Sequence, residues 1–100
     1  MTTNLIIKKT TSIIDANKET DNAIYEVRYQ VVDIKDVKNL QVVHAEVYER
    51  NLDDGNMTNI GYMDYGGDGI SIKGFPMSTK TTTYMSEFLA MVEEIKSGIA

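Results

Sequence analysis

The sequence contains no cysteine and no tryptophan, and only one histidine, one proline and two arginines. Without cysteine there is no disulfide scaffold, no thiolate metal site and no cysteine nucleophile. No apolar run approaches the ~20 residues of a membrane-spanning helix. A lone proline, with no Gly/Ser-rich or low-complexity stretch and no internal repeat, leaves no sign of a linker between domains. Basic residues number ten against fifteen acids, a net charge of −5. They are scattered, with Lys8-Lys9 the one adjacent pair, which argues against nucleic-acid binding through clustered Lys and Arg.

What is present describes one folded domain over residues 1–100. Hydrophobic residues make up 42% of the chain and charged residues 25%, near the globular averages and enough for a single modest core. At the N-terminus Leu5-Ile6-Ile7 precedes Lys8-Lys9, the reverse of a secretory signal and too short an apolar run for one. Thr2 stands where myristoylation requires glycine. The expected setting is the cytoplasm or a larger particle, reached without a signal peptide. In that setting the glycosylation sequon Asn56-Met57-Thr58 has no consequence.

Hydrophobic periodicity divides the chain into a strand-rich part over residues 4–75 and a helix over about residues 79–97. Asn4 to Asp15, with pulses at Leu5-Ile6-Ile7 and Ile13-Ile14, predicts a first strand, and Asp15 to Asn22 a polar loop. Tyr25, Val27, Tyr29 and Val31 alternate with Glu26, Arg28 and Gln30, the pattern of a half-buried strand. The phase slips at Val31-Val32, where a bulge is expected. A turn over Lys35 to Asn39 leads into Leu40 to Arg50, where Val43, Ala45 and Val47 alternate with Val42, His44, Glu46 and Tyr48. Asp53-Asp54-Gly55-Asn56 and Gly66-Gly67-Asp68-Gly69 mark two hairpins, with strands at Met57 to Tyr65 and Ile70 to Phe75.

Tyr84, Met85, Phe88, Met91, Val92 and Ile95 then recur at spacings of three and four, one face of a helix. Thr83 is a candidate N-cap, and Gly98 followed by Ile99 a candidate glycine C-cap. The expected fold is α+β: an antiparallel β-meander of four or five strands, with one C-terminal α-helix packed on one sheet face.

Motifs for chemistry fail one by one. Asp53-Asp54-Gly55-Asn56 places its glycine too early for a calcium loop, and no Glu follows at the required distance. Gly66 to Ile72 begins like a calcium-binding β-roll repeat but has Ser71 where the aspartate ligand belongs. Neither a phosphate-binding G-x-x-x-x-G-K-[ST] loop nor a G-x-G-x-x-G turn occurs. No metal and no cofactor are therefore expected. An acid–base or ligand site would have to use His44 with Glu46 on the same strand face and Glu26 on the neighbouring strand. One sheet and one helix supply little cleft for it, and a cross-strand charge ladder of Glu26, Arg28 and Glu46 is the plainer reading. The chain is expected not to be an enzyme.

Binding is the class that remains. Tyr25, Tyr29, Tyr48, Tyr62 and Tyr65 sit in or beside strands, and tyrosine suits a surface that is wet when free and dry when bound. Both faces of the second and third strands carry apolar residues: Tyr25, Val27, Tyr29 and Val31 on one, Ile24, Val32, Ile34, Leu40 and Val42 on the other. One helix cannot cover both. The expected function is a non-enzymatic protein-interaction or structural module acting through assembly, either as a homo-oligomer or as a small subunit of a larger particle. Virion and mobile-element components are commonly of this size and plainness. The alternative is a small acidic inhibitor or mimic that meets a basic protein through Asp53, Asp54, Asp64 and Asp68 on its hairpin tips. The expected partner is thus a protein, self or different, and neither nucleic acid nor membrane. The N-terminal strand, which can add to a neighbour's sheet edge, is a second route to assembly.

Overall fold

The computed structural model describes residues 8–51, 53–67, 69–76 and 80–99. Five strands, β1 (Thr10–Glu19), β2 (Ile24–Ile34), β3 (Val37–Arg50), β4 (Met57–Gly66) and β5 (Gly69–Lys73), precede one helix, α1 (Lys80–Ile99). The strands form a single antiparallel sheet in chain order, each hairpin-linked to the next. The α+β meander with a C-terminal helix is the observed architecture.

α1 lies over β3 and β4. Beneath it, Tyr25, Val27, Val43, Ala45, Val47 and Met63 of the sheet meet Tyr84, Phe88, Met91 and Val92 of the helix. Each Val, Met or Phe among them contributes about 1.5–3 kcal/mol when fully withdrawn from water. Two tyrosine–carboxylate bonds tie the layers together at their margin. Tyr25 donates its hydroxyl proton to Glu87 at 2.6 Å, and Tyr84 donates to Glu49 at 2.6 Å. Glu87 also accepts from Thr20 Oγ1 at 3.0 Å and Asn22 Nδ2 at 3.3 Å, so one carboxylate fastens the β1–β2 turn to the helix.

The first strand differs from its expectation. Asp15 to Glu19, expected as loop, continue β1, and the connection shrinks to Thr20–Ala23. Thr20 closes that turn: its N–H donates to the Ala23 carbonyl at 2.9 Å, and its Oγ1 accepts from Asn22 and Ala23 N–H. β1 is an edge strand with nine of its ten side chains exposed, so no apolar alternation marked it. Main-chain pairing holds it, with exposed ion pairs from Asp15 to Arg28, Lys18 to Glu94 and Glu19 to Arg50. The pulse Leu5-Ile6-Ile7 lies outside the described residues.

The slip expected at Val31-Val32 is real, but the partner strand carries it. Gln30 pairs with Val42 and Val31 with Leu40, so Gln41 is the extra residue. Leu40 is thereby turned to the helix side and joins the margin of the core, away from Val42. The turn that follows β2 is also tighter than expected. Only Lys35 and Asp36 separate Ile34 from Val37, and both take positive φ, 52° and 69°. That is the type I′ geometry of a two-residue hairpin, steadied by Asp36 N–H donating to Asp33 at 2.9 Å. A second bulge leaves Ile60 unpaired between β3 and β4. Next to it Gly61 has φ 147°, and a Cβ there would lie 2.7 Å from the Lys73 carbonyl and 2.8 Å from the Phe75 ring. No other residue fits.

The helix ends later than expected. It runs through Ile99, so Gly98 lies in its last turn and is not a left-handed cap; the described glycines with positive φ are Gly55, Gly61, Gly67 and Gly74. Thr83 is likewise inside the helix, which starts at Lys80, and residues 77–79 before it lie outside the described ones. The last turn of α1 reaches the level of Tyr29. β2 and β3 run on beyond it to the Lys35-Asp36 turn. The radius of gyration is correspondingly large, 17.1 Å, against ~13 Å for a compact domain of this length.

Candidate interaction surfaces

The five tyrosines divide between the two faces of the sheet. Tyr25 has no exposed surface and belongs to the core, so it has nothing to offer a partner. Tyr29 and Tyr65 lie on the same side at the margins of the helix, and Lys96 of α1 sits 4.9 Å over the Tyr65 ring. Tyr48 and Tyr62 are on the opposite, open face, each half-buried. Burial pushes the hydroxyl of Tyr84 up to about 12, assisted by the bond to Glu49. Tyr25 shifts in the same direction, again through burial first and Glu87 second.

Across the open face the registers align a polar row over all five strands: Asp15, Arg28, His44, Asp64 and Ser71. Arg28 grips Asp15 in a fork, Nε to Oδ1 at 2.7 Å and Nη2 to Oδ2 at 3.3 Å. That hydrogen bond holds the Asp15 carboxyl below the usual carboxylate range. His44 Nδ1 meets Asp64 Oδ1 at 2.6 Å, with the Tyr62 ring tilted beside the imidazole at 5.3 Å. His44 is thus held by Asp64 across the strands and not by Glu46 along its own. Asp64 stands between His44 and Ser71, whereas a nucleophilic triad requires the histidine in the middle. In the next row Glu26 and Glu46 are directly opposed, as the sequence suggested. Arg28 turns to Asp15 and leaves the expected ladder with them incomplete.

Beside this row is an open hollow of ≈ 460 Å³, bordered by Asp15, Asn17, Glu26, Arg28, His44 and Glu46. It is a shallow part of a sheet face and not a cleft between layers. Among the described residues no group of three or more His, Asp or Glu side chains is placed to hold a metal ion. The polar row was hidden from sequence reasoning because its members are far apart in the chain and meet only through register.

The acidic residues do not converge. Asp53 and Asp54 lie in the β3–β4 turn and Asp64 within β4, bound to His44; Asp68 lies outside the described residues, between β4 and β5. Successive turns of a meander fall at opposite ends of the strand between them, here ten residues, or about 30 Å. Of the two, the Asp54 carboxylate is engaged locally, accepting from Asn56 N–H at 2.9 Å, while Asp53 donates its main-chain N–H to Asn51 Oδ1 at 2.9 Å.

Exposed apolar side chains do gather. Of the seven large ones exposed among the described residues, Ile13, Ile34, Val37 and Val42 share one end of the open face, past the polar row. Ile13 and Val42 flank Gln30, and Ile34 pairs with Val37 at the ribbon tip. Ile13 and Val37 are the most open, at 65% and 60%. No described helix is long and apolar enough to cross a membrane. Compared with known proteins, the chain matches no family model and is similar to none of the curated proteins or solved structures.

Proposed function

We propose that the chain is a non-enzymatic protein-interaction module that acts by assembly, as a homo-oligomer or as a small subunit of a larger particle. The observation that carries this reading is the apolar end of the open face. A monomer covered on one side by its helix leaves Ile13, Ile34, Val37 and Val42 in water on the other, and contiguous patches of that kind mark contact surfaces. The order of the polar row, with Asp64 between His44 and Ser71, supports a structural role for those side chains. Light scattering on a size-exclusion column across a dilution series tests the proposal. The expected mass exceeds one chain and falls on dilution, and Ile34→Ser with Val37→Ser weakens the association. A chain that stays monomeric at every concentration, and retains no protein partner from its source lysate, removes the reading.

A further inference from the structure

The two edges of the sheet are not alike. β5 is five residues long, bracketed by Gly69 and Gly74, with Pro76 just beyond. Such brevity and such residues keep an edge from pairing with other chains. β1 is ten residues long, without glycine, proline or bulge, and its register with β2 is unbroken. It is the edge that invites another strand.

The direction of its free main-chain groups follows from the turn. Thr20 N–H donates to Ala23 across the β1–β2 hairpin. In an antiparallel pair the bonded residues alternate, so Lys18, Ala16, Ile14, Ser12 and Thr10 bond to β2. The N–H and C=O of Thr11, Ile13, Asp15, Asn17 and Glu19 therefore point out of the sheet.

We propose that β1 pairs antiparallel with β1 of a second copy, about a two-fold axis at Ile14, fusing two sheets into one. This rests on the assembly reading and names its partner and register. In a continuous sheet, side chains of one face meet those of the same face, which restricts the possible centres. A centre at Ile13 sets Lys8 against Lys18, and one at Asp15 sets two carboxylates face to face. A centre at Ala16 sets the half-buried Ile14 against Lys18. A centre at Ser12 pairs only Thr10 to Ile14 within the strand. Centred on Ile14, the pairing runs from Thr10 to Lys18 and continues to Lys9 against Glu19. No like charges meet, Lys9 faces Glu19 at both ends, the half-buried Ile14 side chains cover each other, and Ile13 faces an Asp15 that Arg28 already holds. α1 meets β1 only towards the strand's C-terminal end, where Lys18 Nζ lies 3.4 Å from Glu94, so the helix contacts of the two copies fall on opposite sides of the axis at Ile14. Ile14 pairs across the strands with Tyr29, which lines the ≈ 430 Å³ hollow beside the end of α1.

The absence of cysteine makes the test direct. Ile14 faces itself in a non-hydrogen-bonded pair, with Cα atoms ~4.5 Å apart, inside the range a disulfide spans. Ile14→Cys treated with diamide forms a covalent dimer at least about tenfold faster than Ser12→Cys or Ala16→Cys, which lie several residues from their own copies. Asn17→Pro and Thr11→Pro each remove an outward N–H without touching the bonds to β2. Both variants become monomeric with an unchanged circular-dichroism spectrum. If the wild type assembles, but Ile14→Cys does not cross-link preferentially and both proline variants keep their mass, this interface is wrong while assembly stands. A wild type that is monomeric throughout, without a partner, overturns both.

Discussion

Beneath α1, Tyr25, Val27, Val43, Ala45, Val47 and Met63 lose nearly all contact with water; one residue along the same strands, Glu26, Arg28, His44, Glu46 and Asp64 remain wet. The strands are common to both faces, and the helix makes the difference. On the covered side apolar area is withdrawn from water and the few hydroxyls find carboxylates at the margin. On the open side two carboxylates are bonded across the strands, Asp15 to Arg28 and Asp64 to His44, while Glu26 and Glu46 face each other. Past the end of α1 the contrast fails: the open face turns apolar, with Ile13, Ile34, Val37 and Val42 exposed. That region has the character of a second core face with no second layer among the described residues.

The comparison breaks most severely on the covered side. Phe88→Ala empties the centre of the core and costs about 3–5 kcal/mol in denaturant unfolding. Gly61→Ala forces a side chain into the Lys73 carbonyl and the Phe75 ring, at a cost of about 1–3 kcal/mol by the same measurement. At the ribbon tip the sign reverses. Lys35→Asn with Asp36→Gly suits the positive φ of both turn residues and stabilises by about 1 kcal/mol.

Tyr84 adds an effect gated by pH. Its folded pKa is raised to about 12, whereas the unfolded phenol titrates near ~10. The folded state then holds a proton that the unfolded state releases. This contribution is complete below pH ~10 and is lost as pH rises through the folded value. Unfolding midpoints between pH 8 and 12 should decline, less steeply in Tyr84→Phe. The smallest change in monomer stability belongs to the open face, where Ile34→Ser and Val37→Ser fall within about 0.5 kcal/mol although they weaken assembly.

Residues with a strict alternation or helical spacing were legible in the sequence. Val27, Val43, Ala45 and Val47 declared the covered face, and Phe88, Met91 and Val92 the helix stripe. Gly55 and Gly67 marked their turns. β1 was only half legible, because an edge strand exposed on both sides needs no apolar pattern and Asp15-Ala16-Asn17-Lys18-Glu19 reads as loop. The polar row was not legible at all. His44 looked towards Glu46, its neighbour along the strand, until register set it against Asp64. Tyrosine composition suggested five contact residues, but composition does not say which face a ring occupies, and Tyr25 lies inside.

The sequence by itself determined the order of strands, the terminal helix and the residues able to form a core, since period and turn chemistry are local properties of the chain. Tertiary structure alone decided where α1 stops along the sheet, that Gln41 rather than a β2 residue absorbs the slip, and that Arg28 grips Asp15. Those depend on pairing between segments distant in the chain. One bulged residue on either strand exchanges the faces beyond it, and no local pattern records which strand yields.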